Sequence, residues 1–156
     1  MHRSNRAAFS LMEVMIILAI LLDVAVIAMP AFLRARNMAQ NTRFVNDLRT
    51  VTSAFEMYAA ENHRYPAAAS PGVIPAGMNV YLAGVDWTAI TPVGGRWMWA
   101  NDQLGATAQV GVRYGGGSAN AADVRMAEID TRIDNGALST GGFRKRNANT
   151  YLQIIE

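Results

Sequence analysis

The sequence predicts an α+β fold in which one long N-terminal helix packs on a small antiparallel β-sheet. An apolar run over residues 14–33 continues into an amphipathic stretch that reaches residue 61. A Pro- and Gly-containing segment ends this helical pattern, and short alternating runs then occupy the second half of the chain. A helix and a sheet that are each apolar on one side bury those sides against each other.

The apolar run 14–33 predicts the membrane-spanning first half of the helix. Asp23 is its only charge, and a helix of this length covers ~30 Å, enough to cross a bilayer core. The short basic leader at residues 1–8, followed by this apolar run, also fits an ordinary secretory signal peptide or an uncleaved anchor. The length of the run and the carboxylate of Glu13 near its start favour a segment that is kept.

The second half of the helix carries one apolar stripe. Its members recur at spacings of three and four, as an amphipathic helix requires: Phe44, Leu48, Val51, Phe55 and Tyr58. The opposite face is polar: Arg43, Asn46, Arg49, Ser53 and Glu56. We therefore expect one helix from about Phe9 to Glu61, kinked at Pro30, because proline removes a backbone hydrogen bond.

Beyond the helix, residues 66–95 predict a surface loop with one short helical turn. Strands are predicted at 96–100 and 107–114, joined by a hairpin connection over 101–106, and at 150–155. Trp97 and Trp99 fall on one strand face, which is expected to pack under the long helix. A second helix is predicted over 121–134 and ends at Asn135-Gly136; its buried side is expected to hold Val124, Ile129 and Ile133.

Composition restricts the function. The 156 residues suffice for one domain, and the formal net charge is only +2, so no nucleic-acid partner is predicted. The one basic run, Arg144-Lys145-Arg146, is interpreted as solvated surface in a loop. The absence of cysteine excludes disulfides and Cys-bound zinc, and no nucleophile-elbow, phosphate-loop or H-E-x-x-H motif occurs. We predict a protein that is not an enzyme.

The stretch from Phe9 to Ala19, Phe-Ser-Leu-Met-Glu-Val-Met-Ile-Ile-Leu-Ala, resembles the N-terminus of type IV prepilins and type II secretion pseudopilins. The resemblance implies a pilin-like fold, with a leader at 1–8, a transmembrane and assembly helix at 9–33 and a globular domain at 34–156. It implies cleavage between Ala8 and Phe9 by prepilin peptidase, followed by methylation of the new amine. Most members of the family have glycine where this chain has Ala8.

The same resemblance implies a role in assembly for Glu13 and Pro30. The Glu13 carboxylate would pair with the free amine of Phe9 on the adjacent subunit, which cancels two charges in lipid. Asp23 departs from the family pattern. It is expected either to face other subunits, protonated or paired with Arg34 or Arg36 of a neighbour, or to be tolerated beside a water defect.

One cofactor is considered. Asp102, Asp123, Asp130 and Asp134 provide enough oxygen ligands for calcium, and major pseudopilins, which the chain resembles, use such an ion in their C-terminal loops. The ligand spacing of those proteins is not matched here, so no metal site is assigned and the four aspartates stand as weak candidates.

The sequence thus predicts a structural subunit of a type IV pilus or a type II secretion pseudopilus. The precursor would reside in the inner membrane, and the processed chain would form a homopolymeric filament in the periplasm or at the cell surface with the help of assembly machinery. The alternative is a membrane-anchored periplasmic binding or sensor domain, which would not depend on Glu13.

Overall fold

The computed structural model describes residues 10–101, 108–116 and 119–155. It has the predicted α+β architecture, with two helices and four strands in the described residues. In chain order these are α1 (Leu11–Asn62), β1 (Arg96–Asn101), β2 (Ala108–Arg113), α2 (Ala119–Ile133), β3 (Phe143–Asn147) and β4 (Thr150–Ile155). The chain divides into two compact units, residues 1–39 and residues 40–156.

Helix α1 runs from Leu11 to Asn62 and contains Pro30. Ser10 caps its start, since the Ser10 Oγ accepts a hydrogen bond from the Glu13 amide at 3.2 Å. Glu13 lies in the first turn, where a carboxylate interacts favourably with the helix dipole. The helix ends before His63, whose φ of 55° is left-handed and stops the helical hydrogen-bond pattern.

The four strands form one antiparallel sheet in the order β1-β2-β4-β3. In the first pair Trp97 lies opposite Val112 and Trp99 opposite Val110. The loop before β1 runs along the free edge of that strand through isolated bridges, Ala69 with Trp99 and Ile90 with Arg96. This pairing covers an edge that would otherwise expose unpaired backbone groups.

The core lies between residues 40–62 of α1 and the inner face of the sheet. Phe44, Leu48, Val51 and Phe55 are each at most 2% exposed, which confirms the predicted stripe. Phe55 stacks on Trp99 with ring centroids 3.8 Å apart, and Phe44 stacks on Trp97 at 5.4 Å. The two tryptophans therefore lie under the helix as predicted.

Two sequence predictions for the second half are wrong. Val124 is 65% exposed; the side of α2 that enters the core instead holds Met126 and Ile129, with Ile133 partly buried. The basic run 144–146 lies on strand β3 rather than in a loop. In the strand, the side chains of Arg144 and Arg146 are exposed, while Lys145 turns inward to an acidic partner. Because all three residues are basic, this alternation does not show in the sequence.

Candidate assembly segment

The first unit exposes a continuous apolar helix surface. Every described residue from 10 to 39 is exposed, and the large apolar side chains among them include Leu18, Leu22 and Ile27. α1 is long and apolar enough to cross a membrane by length and composition. An uncovered apolar surface of this extent needs a lipid or protein environment.

Glu13 and Asp23 interrupt this surface with carboxylates. Neither lies within ion-pair distance of a basic side chain in the part of the chain that the structure describes, where the ion pairs are Arg43–Asp47 and Lys145–Asp123. Arg34 is eleven residues beyond Asp23, a rise of roughly 16 Å, so one helix cannot join them. The suspected processing residues Ala8 and Phe9 lie outside the described residues.

An apolar groove of about 510 Å³ surrounds Pro30. Leu22, Val26, Met29 and Leu33 line it. Proline leaves the carbonyl one turn earlier without its amide partner, so this is the point in the apolar half where the helix is most readily distorted.

The aspartates considered for calcium do not converge. Asp102 lies outside the described residues. The Asp123 carboxylate is already held by Lys145 Nζ at 2.7 Å and by the Tyr151 hydroxyl at 2.5 Å. Among the described side chains, no group of three or more His, Asp or Glu residues could hold a metal ion.

Asp130 and Asp134 lie one turn apart at the end of α2. Asp130 is fully buried, and neither of its two carboxylate oxygens accepts a hydrogen bond from the described residues. Burial, and then the charge of Asp134, raise the pKa of the Asp130 carboxyl. Asp134 itself accepts a 2.5 Å hydrogen bond from the Gly142 amide. These two residues alone do not provide enough oxygen ligands for calcium, so a calcium site here stays a prediction.

The Asp123 contacts tie α2 to the sheet. The hydrogen bond from Lys145, followed by that from Tyr151, lowers the pKa of the Asp123 carboxyl, because both favour its charged form. Burial and the bond to Asp123 in turn raise the pKa of the Tyr151 phenol. Asp123 is thus a structural anion. Its partners could not be predicted from the local sequence, because they lie on β3 and β4.

The long N-terminal helix is apolar and exposed in its first part, and its second part packs on a small antiparallel sheet. This arrangement defines the pilin-like class of α+β proteins. The comparisons with known proteins agree with this class. The chain is similar to the type II secretion system core protein G of Klebsiella michiganensis, with 30% identity over 66 residues, 42% of this chain and 46% of the relative. It is similar to the protein of the same name from Aeromonas hydrophila, again with 30% identity over 66 residues and the same coverage.

The core protein G of Pseudomonas aeruginosa is 28% identical over 67 residues, 43% of this chain and 47% of the relative. The match thus spans less than half the length of each of these relatives. It falls in the N-terminal portion of the chain and supports the pilin and pseudopilin family, which confirms the predicted resemblance. No family model matches the chain, and no solved structure matches it.

Proposed function

We propose that this protein is a structural subunit of a type II secretion pseudopilus or a related type IV pilus. The observation that carries the proposal is the exposed apolar half of α1 with a carboxylate in its first turn. The similar proteins are named as core proteins of a type II secretion system, which favours the secretion filament over the surface pilus. In this role the chain acts by assembly and has no catalytic activity of its own.

The precursor is held in the inner membrane by α1, with residues 1–8 as a leader, 9–33 as the transmembrane and assembly segment and 34–156 as the globular domain. Prepilin peptidase cuts between Ala8 and Phe9 and methylates the new amine. Residues 1–8 contain Arg3 and Arg6, and 12 basic and 12 acidic side chains remain without them. A processed subunit with no net charge can pack against its copies without long-range repulsion.

Polymerisation places the Phe9 amine of one subunit beside the Glu13 carboxylate of the next. Two opposite charges that leave water together cost far less than either one alone, so the pair favours a fixed stagger between subunits. The amine exists only after cleavage, and this couples processing to assembly. The apolar groove at Pro30 provides a surface against which a neighbouring helix packs.

Asp23 is assigned a second polar contact in the filament core, with Arg34 or Arg36 of a neighbour. Support comes from its exposure on the helix and from the lack of a described partner within reach in its own chain. The filament and the assembly machinery are the partners of this subunit, in the inner membrane first and then in the periplasm or at the cell surface.

The first experiment is intact mass and N-terminal peptide sequencing of the protein purified from its own cells. A chain that begins at N-methylated Phe9 is the expected result. A chain that begins at Met1 would favour the alternative, a membrane-anchored periplasmic binding or sensor domain. A start beyond Ala28 would indicate an ordinary secreted protein and exclude the filament.

A further inference from the structure

The outer face of the sheet, turned away from α1, is basic. Strand side chains alternate between the two faces, so the residues beside the buried tryptophans and valines lie on the outer one. Four exposed arginines occupy it: Arg96 on β1, Arg113 on β2, and Arg144 and Arg146 on β3. No Asp or Glu occurs in the described strand residues. Every charged side chain that the described strands place on this face is therefore positive, on a chain of nearly balanced charge.

Two of these arginines are held side by side. Arg96 and Arg113 are direct partners in the β1–β2 register, which places their Cβ atoms roughly 4.5–5.5 Å apart. Like charges directly opposite each other destabilise a sheet. Neither forms an ion pair within residues 10–101, 108–116 and 119–155. An anion bound between the two side chains would therefore interact favourably with both.

The pair lines an open recess of about 480 Å³, together with Pro71, Ile90 and Asn149. Gly72 makes room for one guanidinium, since a Cβ at that position would lie 3.1 Å from both Cδ and Nη1 of Arg96. Gly72 also has a φ of 78°, which a side chain would strain. A substitution there would displace the arginine that points into the recess.

Tyr114 forms part of the wall and is fixed at both ends. Its amide donates to the Asn149 carbonyl at 2.8 Å, and its hydroxyl donates to the Val93 carbonyl at 3.1 Å. Burial raises the pKa of Tyr114 to about 12, so the phenol stays neutral and adds no negative charge beside the arginines. The recess is a fixed, positively charged site with an apolar margin.

We propose that this recess binds a carboxylate side chain of a polypeptide partner, in an acidic segment that also presents an apolar residue to Pro71 and Ile90. The planar fork of one guanidinium binds the two oxygens of a carboxylate in a bidentate geometry, and a second arginine beside it adds to the attraction. The described strand residues of the outer face include no aromatic side chain, so Tyr114 at the recess is a single ring and does not form a stacking platform for successive nucleic-acid bases. Arg144 and Arg146, farther along the face, add a positive field that steers an acidic partner. This site does not depend on filament assembly.

The test uses the full chain in detergent micelles and a short amidated peptide, Ala-Glu-Leu-Glu-Ala, that carries an uncharged fluorophore on its N-terminal amine, with fluorescence anisotropy as the readout. We expect binding that weakens with salt and falls at least ~10-fold in Arg113→Gln and in Arg96→Gln. The control Arg144→Gln removes one positive charge from the same face but outside the recess. We expect it to change the affinity for the peptide by less than ~2-fold. The matched Gln-Leu-Gln peptide is expected not to bind.

Folding is controlled by the thermal midpoint, which is expected to stay equal or to rise in Arg113→Gln because a like-charge contact is removed. Binding of oligothymidine or inorganic phosphate without binding of the Glu peptide would overturn the proposal in favour of nucleic acid or of a free anion. Equal binding by the Gln peptide, equal loss in Arg144→Gln, or no binding by the folded chain would also overturn it.

Discussion

At the scale of single residues, Trp99 joins three parts of the globular unit. Its ring stacks on Phe55 and lies 5.7 Å from Tyr65, and its Nε1 donates to the Pro66 carbonyl at 3.0 Å. The side chain is 1% exposed. It therefore fixes the end of α1 and the start of the loop onto β1 at one point.

We expect Trp99→Ala to lower the free energy of unfolding by about 3–5 kcal/mol, because it leaves a cavity. It also removes one of the two hydrogen bonds that the Pro66 carbonyl accepts, while the bond from Asn101 Nδ2 remains. The measurement is urea unfolding followed by far-UV circular dichroism. The control Val80→Ala, at a side chain that is 82% exposed, is expected to change stability by less than ~0.5 kcal/mol. Equal effects of the two substitutions would contradict the packing described for Trp99.

Asp123 makes the stability of the globular unit depend on pH. Its folded-state pKa lies below the ordinary value of 3.8 because Lys145 and Tyr151 donate to the carboxylate. Its contribution is therefore fully present above pH 3.8 and is lost as the pH falls through the lowered pKa.

We expect the stability gap between the wild type and Asp123→Asn to be constant near neutral pH and to narrow toward about pH 2. Urea unfolding across this range measures the gap. In a Lys145→Met background this gap should depend less on pH, because the main hydrogen-bond donor to the Asp123 carboxylate is removed. A gap that does not change with pH would show that Asp123 is not held as an anion.

At the scale of elements, Gly111 permits the close approach of β2 and β4. A Cβ at this position would lie 2.0 Å from the Tyr151 carbonyl oxygen and 2.8 Å from the Leu152 Cα. Both atoms belong to the backbone of β4, so they can move only if the strand pairing itself shifts.

We expect Gly111→Ala to destabilise the protein by at least ~1–3 kcal/mol, the usual cost of overpacking. Gly115→Ala provides the matched control, because a Cβ there meets nothing within 4 Å. Thermal unfolding of the two variants decides the point. If they melted at the same temperature, β2 and β4 would not pair in the register described.

The elements differ in how far the sequence could predict them. α1 has a long stripe of period near 3.6 and no competing signal, so its extent was predicted to within two residues at its start and one at its end. Strand β3 is short, and its sequence of Phe, three basic residues and Asn shows no apolar alternation. Lys145 turns inward only because Asp123 lies across from it, and no local pattern contains that contact.

At the scale of the whole molecule, the two units show different limits of sequence reasoning. The apolar first half of α1 was predictable because a membrane-length apolar run shows directly in the sequence. The arginine recess was not, since Arg96 and Arg113 are seventeen positions apart and meet only through the β1–β2 register. The sequence predicts a hairpin connection over 101–106, but this connection contains no two-residue turn motif that would set the register of the two strands.

The assembly proposal makes its main prediction at this scale. We expect Glu13→Ala to be processed at the N-terminus and to fold with an unchanged melting temperature, yet to yield no sheared filaments in electron micrographs of its own cells. Removal of the carboxylate leaves the ammonium of the neighbouring subunit unpaired in lipid, which costs several kcal/mol. Normal filaments from this variant would exclude the proposed pairing.

Asp23→Leu separates the two interpretations of the second carboxylate. If Asp23 pairs with Arg34 or Arg36 of a neighbour, the variant leaves an arginine uncompensated, and we expect fewer filaments that dissociate at lower detergent concentration. The double variant Asp23→Leu with Arg34→Leu, or with Arg36→Leu, should restore part of the yield for whichever arginine is the partner. Filaments of normal yield and stability from Asp23→Leu alone would mean that the carboxylate is only tolerated, because leucine is the less costly side chain in lipid.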